Sequence, residues 1–193
     1  RGMYQKAFEW LETYGAVYVP ANMILKVLTA LSNETEAERE AYYRLCYGCF
    51  QNGQMNYTIL KYLAKTFLGT CAQMAEMWKQ AKAYGVDVHE LEERILAQMM
   101  FTGAELPASF EIYVSYNQRQ PKEYIQKAYL TYMSREVFVK NKELDGRFYF
   151  LLEEELLTKK NYAEVCILAY LKELSEKKTL SENQTAVARE YLK

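Results

Sequence analysis

Helix start signals recur along this chain, and between residues 20 and 121 starts two apart are separated by about 34 residues, a spacing that widens after Ser134. Approximate starts lie near residues 4, 20, 36, 56, 71, 88, 107, 121, 146, 162 and 182. Between them apolar residues repeat at intervals of three and four. From Thr70 to Tyr84, the residues Cys71, Met74, Ala75, Trp78 and Ala81 share one stripe, with Gln73, Glu76 and Lys79 opposite. From Asp87 to Phe101, Leu91, Ile95 and Met99 line one face, and Glu90 precedes Arg94 by four, the favourable order for a helical ion pair. Thr35–Glu38, Thr70–Gln73, Asp87–Glu90 and Ser181–Gln184 have capping-box spacing, in which two side chains satisfy free helix amides reciprocally. Pro20, Pro107 and Pro121 fit the first helical position. Gly15, Gly53, Gly69, Gly85 and Gly103 read as stops. Val17-Tyr18-Val19 is β-prone but too short to build a sheet on.

This punctuation predicts an all-α fold of about eleven short helices. Short links make neighbouring helices antiparallel. A helix pair of about 34 residues is the unit of tetratricopeptide-type solenoids. The consensus of that repeat is not reproduced from unit to unit, so the expectation is a divergent, α-solenoid-like array of antiparallel helix pairs. A single helical-repeat domain over residues 1–193 is expected, with a candidate break near 139–146, where Lys140 to Gly146 reads as a longer connection. The first residue is not Met, and the last eleven or so read as helix, so flanking domains of a longer chain are also expected. Ala41 to Phe50 is apolar all round except for Arg44. That pattern predicts an inner helix covered on several sides, with Gly48 admitting a close neighbour.

Charge and composition remove whole classes of function. The 25 acidic and 24 basic residues leave a net charge of -1, without the basic footprint of a nucleic-acid binder. Hydrophobic residues at 50% and charged residues at 25% describe an ordinary globular chain rather than a disordered one. The longest charge-free stretch, Leu45 to Leu60, holds Gln51, Asn52, Gln54 and Asn56, and is too polar and too short for a membrane span. No signal peptide is visible, and four irregularly placed cysteines make no disulfide framework. A reduced, cytoplasmic setting follows as the expectation, with no membrane or nucleic-acid partner.

Candidate chemistry is sparse. Cys46-x-x-Cys49 has a redox spacing, but it lies mid-helix in apolar surroundings, whereas a reactive thiol needs a helix N-terminus or nearby cations. A zinc site needs two further ligands, and there is no second paired motif. Both are read as buried structural cysteines. His89, the one histidine, sits in a first helical turn with no nucleophile elbow in the chain, and reads as a surface residue. Glu90, Glu92, Glu93 and the run Glu153-Glu154-Glu155 read as solvated faces. No phosphate-binding glycine loop is present. No cofactor and no metal are therefore expected.

Eighteen tyrosines are the compositional anomaly. Tyrosine joins an apolar body to a polar tip, which suits both helix packing and protein-binding grooves. Tyr113 and Tyr116 share a helix face. Tyr124 lies opposite the stripe of Ile125, Ala128, Tyr129 and Tyr132. Tyr113, Tyr116 and Tyr124 are the candidate protein-binding residues.

Several blocks carry a resemblance. They are Met77 to Tyr84 with Val86-Asp87, Leu91 to Leu96 and Met100 to Gly103, flanked by Ile59 to Leu63, by Ala128 to Leu130 with Phe138-Val139, and by Cys166 to Leu171. Over roughly Asn56 to Leu174 the chain resembles a family of large uncharacterised clostridial-type bacterial proteins, catalogued as a domain of unknown function. The resemblance implies an internal helical-repeat region and assigns no catalytic residue. With no catalytic constellation on the page, the expected function is a non-catalytic protein-interaction or scaffolding module that presents a groove to a protein or peptide. The alternatives are a structural spacer between flanking domains and an enzyme on a helical scaffold. An enzyme predicts at least two strongly perturbed carboxylates converging on one pocket.

Overall fold

Three of the four predicted capping boxes close. Thr35 Oγ1 accepts from the Glu38 amide at 3.2 Å while the Thr35 amide donates to Glu38 Oε2 at 3.1 Å. Thr70 with Gln73 and Ser181 with Gln184 do the same. Asn56 adds a cap on Ile59 that its spacing to Glu or Gln did not advertise. At Asp87 the local geometry differs: the carboxylate accepts from the His89 amide at 3.1 Å, an Asx-type turn that delivers the chain into the helix starting at His89.

The computed structural model describes residues 2–14, 19–30, 35–140, 142, 146–159 and 164–192. Among these it contains eleven α-helices and no strand: α1 Gly2–Tyr14, α2 Ala21–Ala30, α3 Glu36–Gln51, α4 Tyr57–Thr66, α5 Cys71–Ala83, α6 His89–Thr102, α7 Ser109–Asn117, α8 Glu123–Phe138, α9 Gly146–Lys159, α10 Glu164–Ser175 and α11 Glu182–Tyr191. Gly15, Val17, Tyr18 and most of the expected connection before Gly146 (residues 141 and 143–145) lie outside the described residues. The prolines stand just before their helices rather than at the first helical position. Pro20 offers its carbonyl to the Met23 and Ile24 amides, and Pro107 and Pro121 each precede a helix by two residues. Gly53, Gly85 and Gly103 take φ near +70°, the left-handed conformation that ends a helix cheaply only in glycine. Gly69 is no such stop. A Cβ there would lie 2.7 Å from the Phe67 ring, so it makes room for that side chain.

The chain packs as two compact units, Arg1–Ile95 and Leu96–Lys193, divided within α6. In the first, α1 packs on α2 and α3, α3 on α4, and α4 on α5. Its core is built by Leu45, Cys46 and Cys49 of α3, by Ile59, Leu60 and Leu63 of α4, and by Met74, Met77 and Trp78 of α5. In the second unit, helices two apart in sequence meet: α8 on α10 and α9 on α11, with α10 also on α9 and α11. Tyr129 and Leu130 of α8 and Cys166, Ala169 and Tyr170 of α10 are fully buried there. Two cations finish helix ends. In the first unit the Arg94 guanidinium donates to the carbonyls of Ala64 and Phe67, 2.9 Å to the latter, at the C-terminus of α4. The ion pair expected from the Glu90–Arg94 spacing gives way to this because free carbonyls at a buried helix end need donors. In the second unit Lys172 Nζ donates to Val137 O at 3.3 Å, at the end of α8.

Candidate interaction surface

The predicted tyrosine groove does not assemble. Tyr113 is 2% exposed and Tyr116 0%, while Tyr124 is 61% exposed. Tyr113 stacks on Tyr129 with ring centroids 4.1 Å apart, and the Tyr116 hydroxyl accepts from the Lys122 amide at 3.0 Å. Both rings belong to the core of the second unit, and they share no surface with Tyr124. The physical reason is legible in α7 itself. Glu111 and Ser115, four apart, mark its outer side, and the two tyrosines lie roughly 140–200° around from Glu111, facing inward.

Accessible aromatic surface instead lies on α3. Ala41 to Phe50, expected to be covered on several sides, packs against α1 and α4 but keeps part of its apolar circumference accessible. Ala41, Leu45, Cys46 and Cys49 are buried, whereas Tyr42, Tyr43, Tyr47 and Phe50 are only half-buried. Gly48 admits no close neighbour, since a Cβ there would meet nothing within 4 Å. Tyr43, Tyr47 and Phe50 follow at i, i+4 and i+7 and form one row. Tyr47 stacks on Tyr43 at 6.1 Å, on Phe50 at 6.3 Å and on the buried Phe67 at 5.2 Å. Tyr42 meets Tyr62 edge-on at 4.6 Å on the side towards α4. Leu68, 77% exposed, follows Phe67 directly. Tyr47, the middle ring of the row, rests on buried Phe67, and all three rings of the row are half-buried.

Burial, with smaller contributions from Cys46 and Tyr62, pushes the Tyr42 phenol up to about 12. Burial raises Cys46 to about 12, aided by Cys49, and raises Cys49 to about 11. All four cysteines are free and buried. Thiols and phenols so displaced stay protonated near neutrality.

Two other places gather polar groups. In the first unit Glu92, read from the sequence as part of a solvated face, is 2% exposed and accepts from Trp78 Nε1 at 2.8 Å. His89 Nδ1 stands 3.9 Å from its other oxygen, so His89 is half-buried rather than on the open surface. His89 also lines a cleft of about 320 Å³ with Tyr57, Lys61, Lys65, Asp87 and Glu90. In the second unit Glu105 and Glu136 converge on one cavity. Hydrogen bonding from Lys142 lowers Glu105. Burial works to raise Glu136, but hydrogen bonds from Lys140 and Lys142 outweigh it and leave it below the usual carboxylate range. Two carboxylates do meet at one pocket, as a catalytic pair requires, yet both are held ionised by ammonium groups; a general acid needs the opposite displacement. Among the described residues no group of three or more His, Cys, Asp or Glu side chains is placed to hold a metal ion. No described helix is long and apolar enough to cross a membrane.

No curated protein and no solved structure matches the chain. The sequence profile of one family, described as "Family of unknown function (DUF5717) C-terminal", matches residues 40–193. That span opens just before the aromatic row of α3 and takes in every helix from α4 to α11. On that match the chain belongs to this family of unknown function, and to the C-terminal region the family describes.

Proposed function

We infer that the protein is a non-catalytic interaction or scaffolding module, a divergent array of helix pairs that offers the aromatic row of α3 to a protein or peptide partner. The observation that carries this reading is the row Tyr43–Tyr47–Phe50, three half-buried rings stacked in sequence with the middle one resting on buried Phe67. Aromatic rings anchored from below are pre-organised: little rotamer freedom is left to lose on binding, which is why tyrosine dominates energetic hot spots. The binding surface thus moves from Tyr113, Tyr116 and Tyr124 to α3, and Tyr124 is left as an exposed ring on α8. Four free thiols suit a reducing compartment.

Selection from a random peptide library on the purified protein, followed by fluorescence anisotropy, tests the reading. Peptides enriched on the wild type are expected to lose about tenfold or more in affinity for Tyr43→Ser/Tyr47→Ser. Equal affinity for the double variant, with its melting curve unchanged, overturns the assignment to α3. A library that enriches nothing favours the spacer reading.

A further inference from the structure

The cavity of about 220 Å³ in the second unit is built for a guest with two unlike ends. Met99, Leu106, Pro107 and Met133 give it apolar walls. At its edge stands the carboxylate of Glu136, a residue only 7% exposed. Its two oxygens have separate cations: Lys140 Nζ lies 2.6 Å from Oε1, and Lys142 Nζ lies 3.2 Å from Oε2. Lys142 also pairs with Glu105, so one ammonium bridges two carboxylates at the pocket. Lys140, four residues on and just past the end of α8, makes a local pair with Glu136. Lys142 comes from beyond the end of α8, its amide tied to Glu136 O at 3.1 Å.

The volume is below the roughly 300–1,000 Å³ usual for small-molecule sites and suits a single side chain. Apolar walls leading to a carboxylate match a long aliphatic stem that ends in a cation, the shape of lysine and arginine. Lys142 already places such a cation between Glu105 and Glu136. The geometry points to a receptor for one basic side chain of a partner polypeptide, with Lys142 as the intramolecular occupant of its cation position. Charge complementarity sets the commitment. Without Lys142 the rim holds two carboxylates and one ammonium, and Oε2 of Glu136 lacks its cation beside a lined cavity. An acidic or neutral guest leaves that oxygen unpaired, at a cost a cation removes. This inference does not rest on the α3 surface. Its test uses only side chains of the Leu96–Lys193 unit, so either can fail alone.

The experiment uses the full chain and two probes, N-acetyl-lysine methylamide and its uncharged relative N-acetyl-norleucine methylamide. Methionine methyl NMR reads the walls through Met99 and Met133. The lysine probe is expected to shift both methyls saturably, at millimolar strength, in Lys142→Ala. It should bind that variant about tenfold more tightly than the wild type, where Lys142 competes. Norleucine should bind Lys142→Ala about tenfold more weakly than lysine, and Glu136→Gln should abolish the preference. If Glu136→Gln does not fold, the lysine-to-norleucine comparison on Lys142→Ala decides. Equal binding of the two probes, no shift of Met99 and Met133, or no gain on removing Lys142 overturns the inference.

Discussion

At the scale of single residues, burial sets most of what this chain can do. Trp78 was legible as core from its place on the Cys71–Met74–Ala81 stripe, and it is 8% exposed. Its partner was not legible. Glu92 looks like one more acid in Glu90-x-Glu92-Glu93, and only the fold turns it inward to meet the indole N–H. Truncating Trp78 to Ala should cost about 3–5 kcal/mol, as large aromatic core changes do. Trp78→Phe separates packing from hydrogen bonding: it keeps most of the ring but leaves a buried carboxylate without its donor, at about 1–3 kcal/mol. Urea unfolding measures both, and a Trp78→Phe variant as stable as wild type would mean that Glu92 is satisfied otherwise. The thiols make a second residue-scale prediction. Cys46 and Cys49 are raised from 9.0 to about 12 and about 11, and Tyr42 from 10.0 to about 12. These acids hold their protons more tightly folded than unfolded, so alkali drives unfolding. Their contribution to stability is full below about pH 9 and is lost as pH climbs through 11 to 12. Urea midpoints near about pH 7.5 and about pH 10.5 should fall further for wild type than for Cys46→Ala/Cys49→Ala, and equal falls would clear the thiols of any part in it.

At the scale of elements, the local signals were nearly complete, because caps and apolar periods act within one or two turns. The helices at Glu36, Cys71 and Glu182 begin where Thr35, Thr70 and Ser181 place them. Thr70→Ala and Ser181→Ala should each lower stability by about 1 kcal/mol, since each removes an oxygen that satisfies an amide. Thermal or urea melts check this, and a Thr70→Ser variant should restore most of the loss. A null effect at both sites would show that water replaces the caps. What local signals did not give is which way a helix faces. On α7 the spacing of Tyr113 and Tyr116 shows that they share a face, but it is the polar pair Glu111 and Ser115 that marks that face as the inner one. On α3 the apolar circumference is wider than the buried face, so the surplus became the half-buried row. A sequence shows that such a surplus exists; packing decides which part of it is left open.

At the scale of the whole molecule, the helix start and stop signals predicted about eleven helices, and eleven stand among the described residues. Those signals did not reveal the division into Arg1–Ile95 and Leu96–Lys193. That boundary falls inside α6, where the helical pattern runs on without glycine, proline or a polar linker. A boundary of packing leaves no mark on the chain when one helix crosses it, whereas the stretch near 139–146 carries the local signals of a connection. The charge balance does act at this scale, and it separates the two proposed sites. A net charge of -1 gives little long-range field to steer a partner. Contacts on the α3 row are rings and neutral hydroxyls, whose attraction is not screened by ions. A peptide selected on that row should therefore change affinity by less than about twofold between about 50 mM and 500 mM salt. A basic side chain held against Glu105 and Glu136 meets partly exposed charges, so its binding to Lys142→Ala should weaken severalfold over the same range. Anisotropy for the peptide and methyl shifts for the lysine probe supply the two curves. If the peptide's affinity falls as steeply as the lysine probe's, the row is not the contact and charged residues beside it, such as Glu40 and Arg44, are. If both curves are flat, the cavity binds through its apolar walls alone and Lys142 is a structural brace rather than a competitor.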